Sequence, residues 1–261
     1  MNTSTINRLV LTVAIGLALA VAAFSSAAEL PSKGASEDAQ QRSSEKKQDK
    51  EEVKDEKKAQ HRLSKEQQQD RIREQQESLR LYRENIARQQ AIAKRNAERL
   101  QEQKRLEHYR YQQAYYEHLR QQQAQLPDKR YDYDNDPYYY TAPNYRYRRD
   151  GSYYETNEYG ADILRRASNN GYQEGLKAGR ADKKDGWRFD YKNAFAYEDG
   201  NYGYDGRYVR QQDYNHYFRE GFRRGYEDGY YNRRKYGGTA GSDLLKDNVL
   251  RSILNLEALP K

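Results

Sequence analysis

Gly171-Tyr172-Gln173-Glu174-Gly175-Leu176-Lys177-Ala178-Gly179 and, fifty residues on, Gly221-Phe222-Arg223-Arg224-Gly225-Tyr226-Glu227-Asp228-Gly229 decide how this chain folds. Glycine recurs in both at every fourth residue. On an α-helix, positions i, i+4 and i+8 are near neighbours, so three such glycines lay a smooth, slowly drifting strip along one face. Each interior glycine costs about 1 kcal/mol relative to alanine, about 3 kcal/mol for three. Only close contact with another backbone offsets that, and the obvious partner for either strip is the other. Gly171, Gly175, Gly179, Gly221, Gly225 and Gly229 are therefore the expected helix-packing residues of an antiparallel pair with a core of Tyr and Phe. Beside them runs an aromatic row, Phe218, Phe222, Tyr226 and Tyr230, matched more loosely by Tyr172 and Leu176. Small-residue faces of this kind are familiar from membrane helix pairs, but here Arg180, Lys183, Arg223, Arg224 and Glu227 keep both helices in water.

The fifty-residue register extends beyond the glycines, pairing Tyr147 with Tyr197, Tyr154 with Tyr204, Glu155 with Asp205, Lys183 with Arg233 and Lys184 with Arg234. Such self-similarity is the mark of a repeat. It defines a domain over 147–241, with units of about 147–196 and 197–246. Each unit is a Tyr/Gly/Asp-rich loop followed by a helix, near 161–184 and 211–235. The competing reading is a low-complexity segment without a fold. The tandem Gly171-Tyr172-x-x-Gly175 and Gly221-Phe222-x-x-Gly225 pattern resembles uncharacterised exported bacterial proteins that carry Gly-Tyr-x-x-Gly repeats. The likeness covers the repeats only and implies an exported setting, with no activity attached.

Upstream, the chain divides by composition. Residues 1–28 read as a signal peptide: Arg8, an apolar run from Leu9 to Phe24, then Ser25, Ser26, Ala27 and Ala28 before Glu29. The run is short of the roughly 20 residues that span a bilayer, so cleavage and export to the periplasm or medium are expected, with an N-terminal anchor as the alternative. No later stretch is apolar enough to span. Residues 29–59 form a charged linker expected to be disordered. Residues 60–126 lack Gly and Pro and are rich in Gln, Arg, Glu, Leu and Ala, which predicts one long helix, roughly 100 Å of spacer or stalk. Ile72, Leu79, Ile86, Ala93 and Leu100 recur every seventh residue. Their companions three residues on are Gln75, Tyr82, Gln89, Asn96 and Gln103, so any coiled coil would be weak, and a solitary charge-stabilised helix is the alternative. A further group, Leu106, Tyr109, Tyr116 and Leu119, offers a docking face.

Pro127, Pro137 and Pro143 make 127–146 a Pro/Tyr linker. Residues 242–261 predict an amphipathic helix with Ser242 as N-cap and Leu245, Val249, Ile253 and Leu256 near one face, packing on the repeats, with docking on a partner or a membrane surface as the alternative. The fold class expected is mainly α: a long polar helix plus a small Tyr/Gly-rich helical repeat domain.

Chemistry is sparse. The chain has 261 residues with 27 Tyr, no Cys and a net charge of +7. Beyond residue 28, Leu, Ile, Val and Phe are about one residue in eight, below the roughly 20% at which conventional cores become difficult. That excludes Rossmann, barrel and hydrolase scaffolds. Without Cys there is no disulfide, thiolate site or cysteine nucleophile. His61, His108, His118 and His216 have no metal-ligand spacing, and the helical ones are expected to be exposed. Asp132, Asp134 and Asp136 begin like a calcium loop, but Pro137 and Pro143 stand where Gly and Glu are required. No phosphate loop, dinucleotide fingerprint or nucleophile elbow occurs. The expectation is a non-enzymatic exported protein without cofactor, metal or small-molecule substrate, acting through a protein partner or self-association. The second reading is an anionic-polymer binder, polysaccharide or nucleic acid, using Tyr145, Arg146, Tyr147, Arg148 and Arg149.

Overall fold

A bare glycine strip is stable only where another backbone lies against it, and the chain satisfies this within itself. The computed structural model describes residues 62–127, 130–239 and 243–260, within a unit that begins at Asp55. The signal, the charged linker and Ser242 lie outside the described residues. The fold is mainly helical: α1 (Lys65–Glu102), α2 (Leu106–Gln123), α3 (Pro137–Tyr140), β1 (Tyr145–Arg149), β2 (Ser152–Thr156), α4 (Glu158–Lys184), α5 (Phe195–Asp199), α6 (Gln211–Tyr230), α7 (Asp247–Leu254) and β3 (Glu257–Ala258).

Helices α4 and α6 make the central contact. A Cβ added to Gly171, Gly175 or Gly179 would overlap the carbonyl oxygen of Phe218, Phe222 or Tyr226, well inside the 3.0 Å that real Cβ atoms respect. One added to Gly221, Gly225 or Gly229 would overlap the carbonyl of Ser168, Tyr172 or Leu176. Both sets of partners ascend together, so the helices run parallel and the expected antiparallel pair is overturned. The physical reason is the connection. Residues 185–210 are no tight turn but a crossing segment, long enough to return the chain along α4 and start α6 at the same end. In repeat numbering each glycine rests on the carbonyl three residues earlier in the other helix, which is the isologous contact of a twofold pair. Cα–H···O contacts of about 0.5–1 kcal/mol each then approach the propensity cost of six glycines, about 6 kcal/mol.

The single long helix over 60–126 is also corrected. It breaks at 103–105, where Lys104 takes a left-handed φ of 57°, and α2 folds back along α1. Gln112 Nε2 donates to the Ala93 carbonyl at 2.9 Å, and Arg83 reaches the carbonyl of Pro127. The N-terminus of α2 is capped from outside, the Asp185 carboxylate accepting the Glu107 and His108 N–H groups at 2.9 Å each. A capping box of Ser64 and Gln67 starts α1. The heptad residues Leu79, Ala93 and Leu100 are buried against the chain's own residues. The face of α2 that docks is His108, Gln112, Tyr115 and Leu119, rotated from the expected one, and Leu106 faces solvent.

Segment 127–146 is not loop throughout: Asp136 caps α3 through the Tyr138 N–H, and Tyr139 is fully buried. The first repeat's loop is a hairpin turning at Asp150-Gly151, both with positive φ, the backbone a type I′ turn requires. Its counterpart in the second repeat holds α5 instead. The C-terminal helix is shorter than 242–261. It stops where Asn255 turns left-handed, and β3 then joins β1 to give the antiparallel order β2-β1-β3. Helix α7 packs on α4 and α6, as expected for this segment.

The aromatic row stands as read: Phe218–Phe222, Phe222–Tyr226 and Tyr226–Tyr230 ring centroids lie 6.1, 6.3 and 6.1 Å apart. Gly175→Ala or Gly225→Ala should destabilise the protein by about 2–4 kcal/mol, because the methyl meets backbone and not a yielding side chain. Denaturant unfolding followed by circular dichroism measures this. An unpacked helical glycine would instead gain about 1 kcal/mol on the same change.

Candidate functional site

A cleft of about 840 Å³ opens between α1, the β1–β2 hairpin and the segment that enters α6. Its walls are tied together by polar side chains acting on distant backbone. On α1, Gln75 Nε2 donates to the Gly206 carbonyl at 2.5 Å, and Arg71 donates to the carbonyls of Tyr138 and Thr141, both at 2.9 Å. The Arg71 guanidinium lies 5.3 Å from the Tyr138 ring centroid, and Tyr138 stacks on Tyr208 at 4.8 Å. Burial pushes the Tyr138 phenol up to about 12, so it stays neutral. Tyr208 holds a φ of 71°, a left-handed backbone that a bulky residue rarely adopts and that costs of order 1–3 kcal/mol. Such strain, kept at a cleft, marks this wall as a candidate site.

The opposite wall is set by Asp213, a fully buried carboxylate in the first turn of α6. It pairs with Arg149 and accepts from Arg210 Nε at 3.0 Å. Burial alone would lower the Arg210 pKa, but the facing Asp213 raises it. Both guanidinium groups lie over the Tyr154 ring, at 4.7 and 4.6 Å, and Arg149 also donates to the Tyr154 hydroxyl at 3.1 Å. Asp213 is thereby matched and Glu77 is taken up by Arg80, so Glu74 and Glu155 are the lining carboxylates without an ion-pair partner among the described residues.

A second polar cluster is sealed inside, where α2 begins and α4 ends. Asp182 accepts from Arg105 at 2.5 Å and His108 Nδ1 lies 2.6 Å away, while the Tyr226 hydroxyl donates to its other oxygen. Burial alone would raise the Asp182 carboxyl; the hydrogen bond and charge of His108, with Tyr226 and Arg105, hold it below the ordinary 3.8. The other buried acids serve similarly. Asp228 accepts from the Tyr172 hydroxyl at 3.0 Å and from the backbone N–H groups of Lys235, Tyr236 and Gly237. Asp199 accepts from Tyr115 at 2.8 Å and from Asn201, and there burial wins and raises the carboxyl. These acids are hydrogen-bond acceptors for tyrosines that stand in for an aliphatic core.

The six glycines all lie in the α4–α6 contact and away from the cleft. The five residues read as a polymer surface are split by strand alternation. Tyr145 is half-buried, Tyr147 and Arg149 point inward to line or buttress the cleft, and Arg146 and Arg148 point to solvent. Arg146 is paired with Glu257 at 2.6 Å. Asp132, Asp134 and Asp136 do not converge: Asp132 accepts from Asn135, Asp136 accepts from the Tyr131 hydroxyl at 2.5 Å, and the Asp134 side chain has neither contact. Among the described residues no group of three His, Asp or Glu is placed to hold a metal ion. His108, expected in solvent, is buried. The 3.6-residue spacing of His108, Gln112, Tyr115 and Leu119 was the available signal, obscured because its first two members are polar. Comparison of the chain with protein-family models, with curated proteins and with solved structures finds no match.

Asp182→Asn should cost about 3–5 kcal/mol near neutrality, since it leaves Arg105 buried without a counter-charge. The folded carboxyl sits below its unfolded value, so its contribution is complete above 3.8 and fades as pH falls through the folded value. Urea unfolding of both proteins across that range should show the gap closing toward acid; a gap independent of pH would contradict the assignment.

Proposed function

We propose that this chain is a non-enzymatic exported protein of the cell envelope or exterior that recognises a protein partner through the cleft, with the glycine-packed helices as its frame. The cleft is the observation that supports this reading. Its walls come from three separate parts of the chain and are held by Gln75, Arg71 and the Arg149–Asp213 pair, so it is formed before anything binds. Preorganisation of that kind lowers the entropy cost of recognition. Its mouth carries Leu81, 46% exposed, between Glu74 and Glu155. One apolar seat beside two carboxylates without ion-pair partners suits an extended segment of another protein that carries a basic residue. Strand β2, which ends on the cleft, is an edge strand, and an edge offers backbone groups to such a segment. An anionic polymer fits less well, because Arg146 and Arg149 already have carboxylate partners, whereas Glu74 and Glu155 have no cationic one among the described residues.

The test is site-specific photo-crosslinking from position 81 in the producing cell, followed by reconstitution with the captured protein. Glu74→Arg with Glu155→Arg should weaken that complex roughly tenfold and flatten its salt dependence. Equal capture from Leu244, an exposed residue outside the cleft, would contradict the reading. So would a turnover activity abolished by replacing one cleft side chain.

A further inference from the structure

Parallel pairing brings the C-terminal ends of α4 and α6 to one side of the molecule, and the segments that follow them meet there. Three of the six large apolar side chains exposed among the described residues lie at this end: Leu106 at 55%, Phe189 at 37% and Tyr231 at 53%. Phe189 stacks on Tyr231 at 5.7 Å and meets the edge of Tyr230 at 5.5 Å. The Tyr230 hydroxyl in turn donates to the Trp187 carbonyl at 2.7 Å. Leu106 lies at the same end, because α2 starts on Asp185, directly after α4.

Cations surround the apolar group. Lys183 lies over Tyr230 at 5.5 Å, Arg188 over Trp187 at 5.7 Å and Arg233 over Tyr231 at 4.8 Å, and Lys104 and Lys192 are exposed beside them. Of the nearby acids, Asp185 caps α2, Asp190 accepts from Asn193 and pairs with Arg188 at 3.4 Å, Glu107 pairs with Lys184 at 3.7 Å, and Glu227 holds Arg233 and the Tyr236 hydroxyl, which leaves Lys104, Lys183 and Lys192 without a carboxylate partner among the described residues. Basic side chains here also complement the negative ends of the two helix dipoles, and they outnumber what that requires.

We propose that this end is a peripheral docking surface for a membrane with anionic headgroups, Leu106, Phe189 and Tyr231 entering the interface while Lys183, Arg188 and Lys192 meet the headgroups. The side chains favour lipid over a polysaccharide or nucleic acid. Leu106 and Phe189 carry no polar atom, and the boundary between headgroups and acyl chains is where an apolar group ringed by Lys and Arg is accommodated. This surface is separate from the cleft and does not depend on what the cleft binds.

Trp187 is the only tryptophan and lies within the surface, so it reports on docking. The full chain is mixed with phosphatidylcholine vesicles, with or without phosphatidylglycerol. Co-sedimentation and a blue shift of Trp187 emission should appear only with phosphatidylglycerol and weaken with added salt. Lys183→Gln/Arg188→Gln/Lys192→Gln should reduce binding on the order of a hundredfold while leaving the circular dichroism spectrum unchanged, since all three side chains face solvent. Leu106→Ser/Phe189→Ser should abolish the blue shift. If that variant misfolds, the charge variant decides the matter. Absence of binding to phosphatidylglycerol vesicles would overturn the proposal, as would binding that survives the charge variant. Heparin or DNA binding that persists in Leu106→Ser/Phe189→Ser, without binding to vesicles, would also overturn it.

Discussion

Carbonyl oxygens of one helix resting on glycine Cα atoms of the other set the form of this molecule. The contact leaves no room for a Cβ at six positions, and it fixes axial register as well as separation, because each glycine must meet a carbonyl three repeat positions back. Once the pair is parallel, the chain has to travel the length of α4 between the two helices. The crossing segment is therefore part of the core: Phe195, Tyr204 and Val209 are buried. The α1–α2 hairpin covers the same segment, Tyr82 meeting Tyr204 at 5.2 Å and Tyr115 meeting Phe195 at 5.9 Å.

Tyrosine as the main core residue brings a second constraint. A buried phenol calls for an acceptor, and the chain supplies many of them with main-chain carbonyls, as for Tyr204 on Val209 and Tyr217 on Arg148, or buried carboxylates, as with Asp182, Asp199 and Asp228, while the hydroxyls of Tyr82, Tyr111 and Tyr139 are buried without one. Each carboxylate must then be satisfied in turn. Asp182 has Arg105 and His108 and is held ionised, whereas Asp199 has uncharged donors and its carboxyl rises. Their contributions to stability thus change in opposite directions as pH crosses the carboxylate range: Asp182 favours the folded state above it, and Asp199 favours it below.

What was legible in the amino-acid sequence is what local periodicity encodes. The two helices, the packing role of Gly171 to Gly229, the aromatic row and the apolar side of α7 follow from residues three, four or fifty apart. What was not legible depends on residues distant in the chain. The direction of α6 is set by how the crossing segment packs, not by either helix. The break at Lys104 has no Gly or Pro to announce it; Arg105 and His108 leave the helix line because Asp182, far along the chain, draws them in. The hairpin carries a local sign, Asp150-Gly151 between aromatic alternations, which the reading of this stretch as a loop passed over. The cleft was half visible. Tyr147 and Arg149 were singled out, but for a continuous surface that strand alternation divides, and Gln75, Tyr208 and Asp213 become site residues only through folding.

The direction of the glycine-packed pair is tested most directly by distances between spin labels, for which a chain without cysteine is well suited. Labels at Lys183→Cys and Tyr231→Cys mark the C-terminal ends of the two helices, and Gln212→Cys marks the start of α6. A parallel pair gives a short 183–231 distance and a much longer 183–212 distance, on the order of 30 Å, set by the rise of the intervening helix. The reverse order, with 183 close to 212 and far from 231, would contradict the parallel glycine contact and everything built on it.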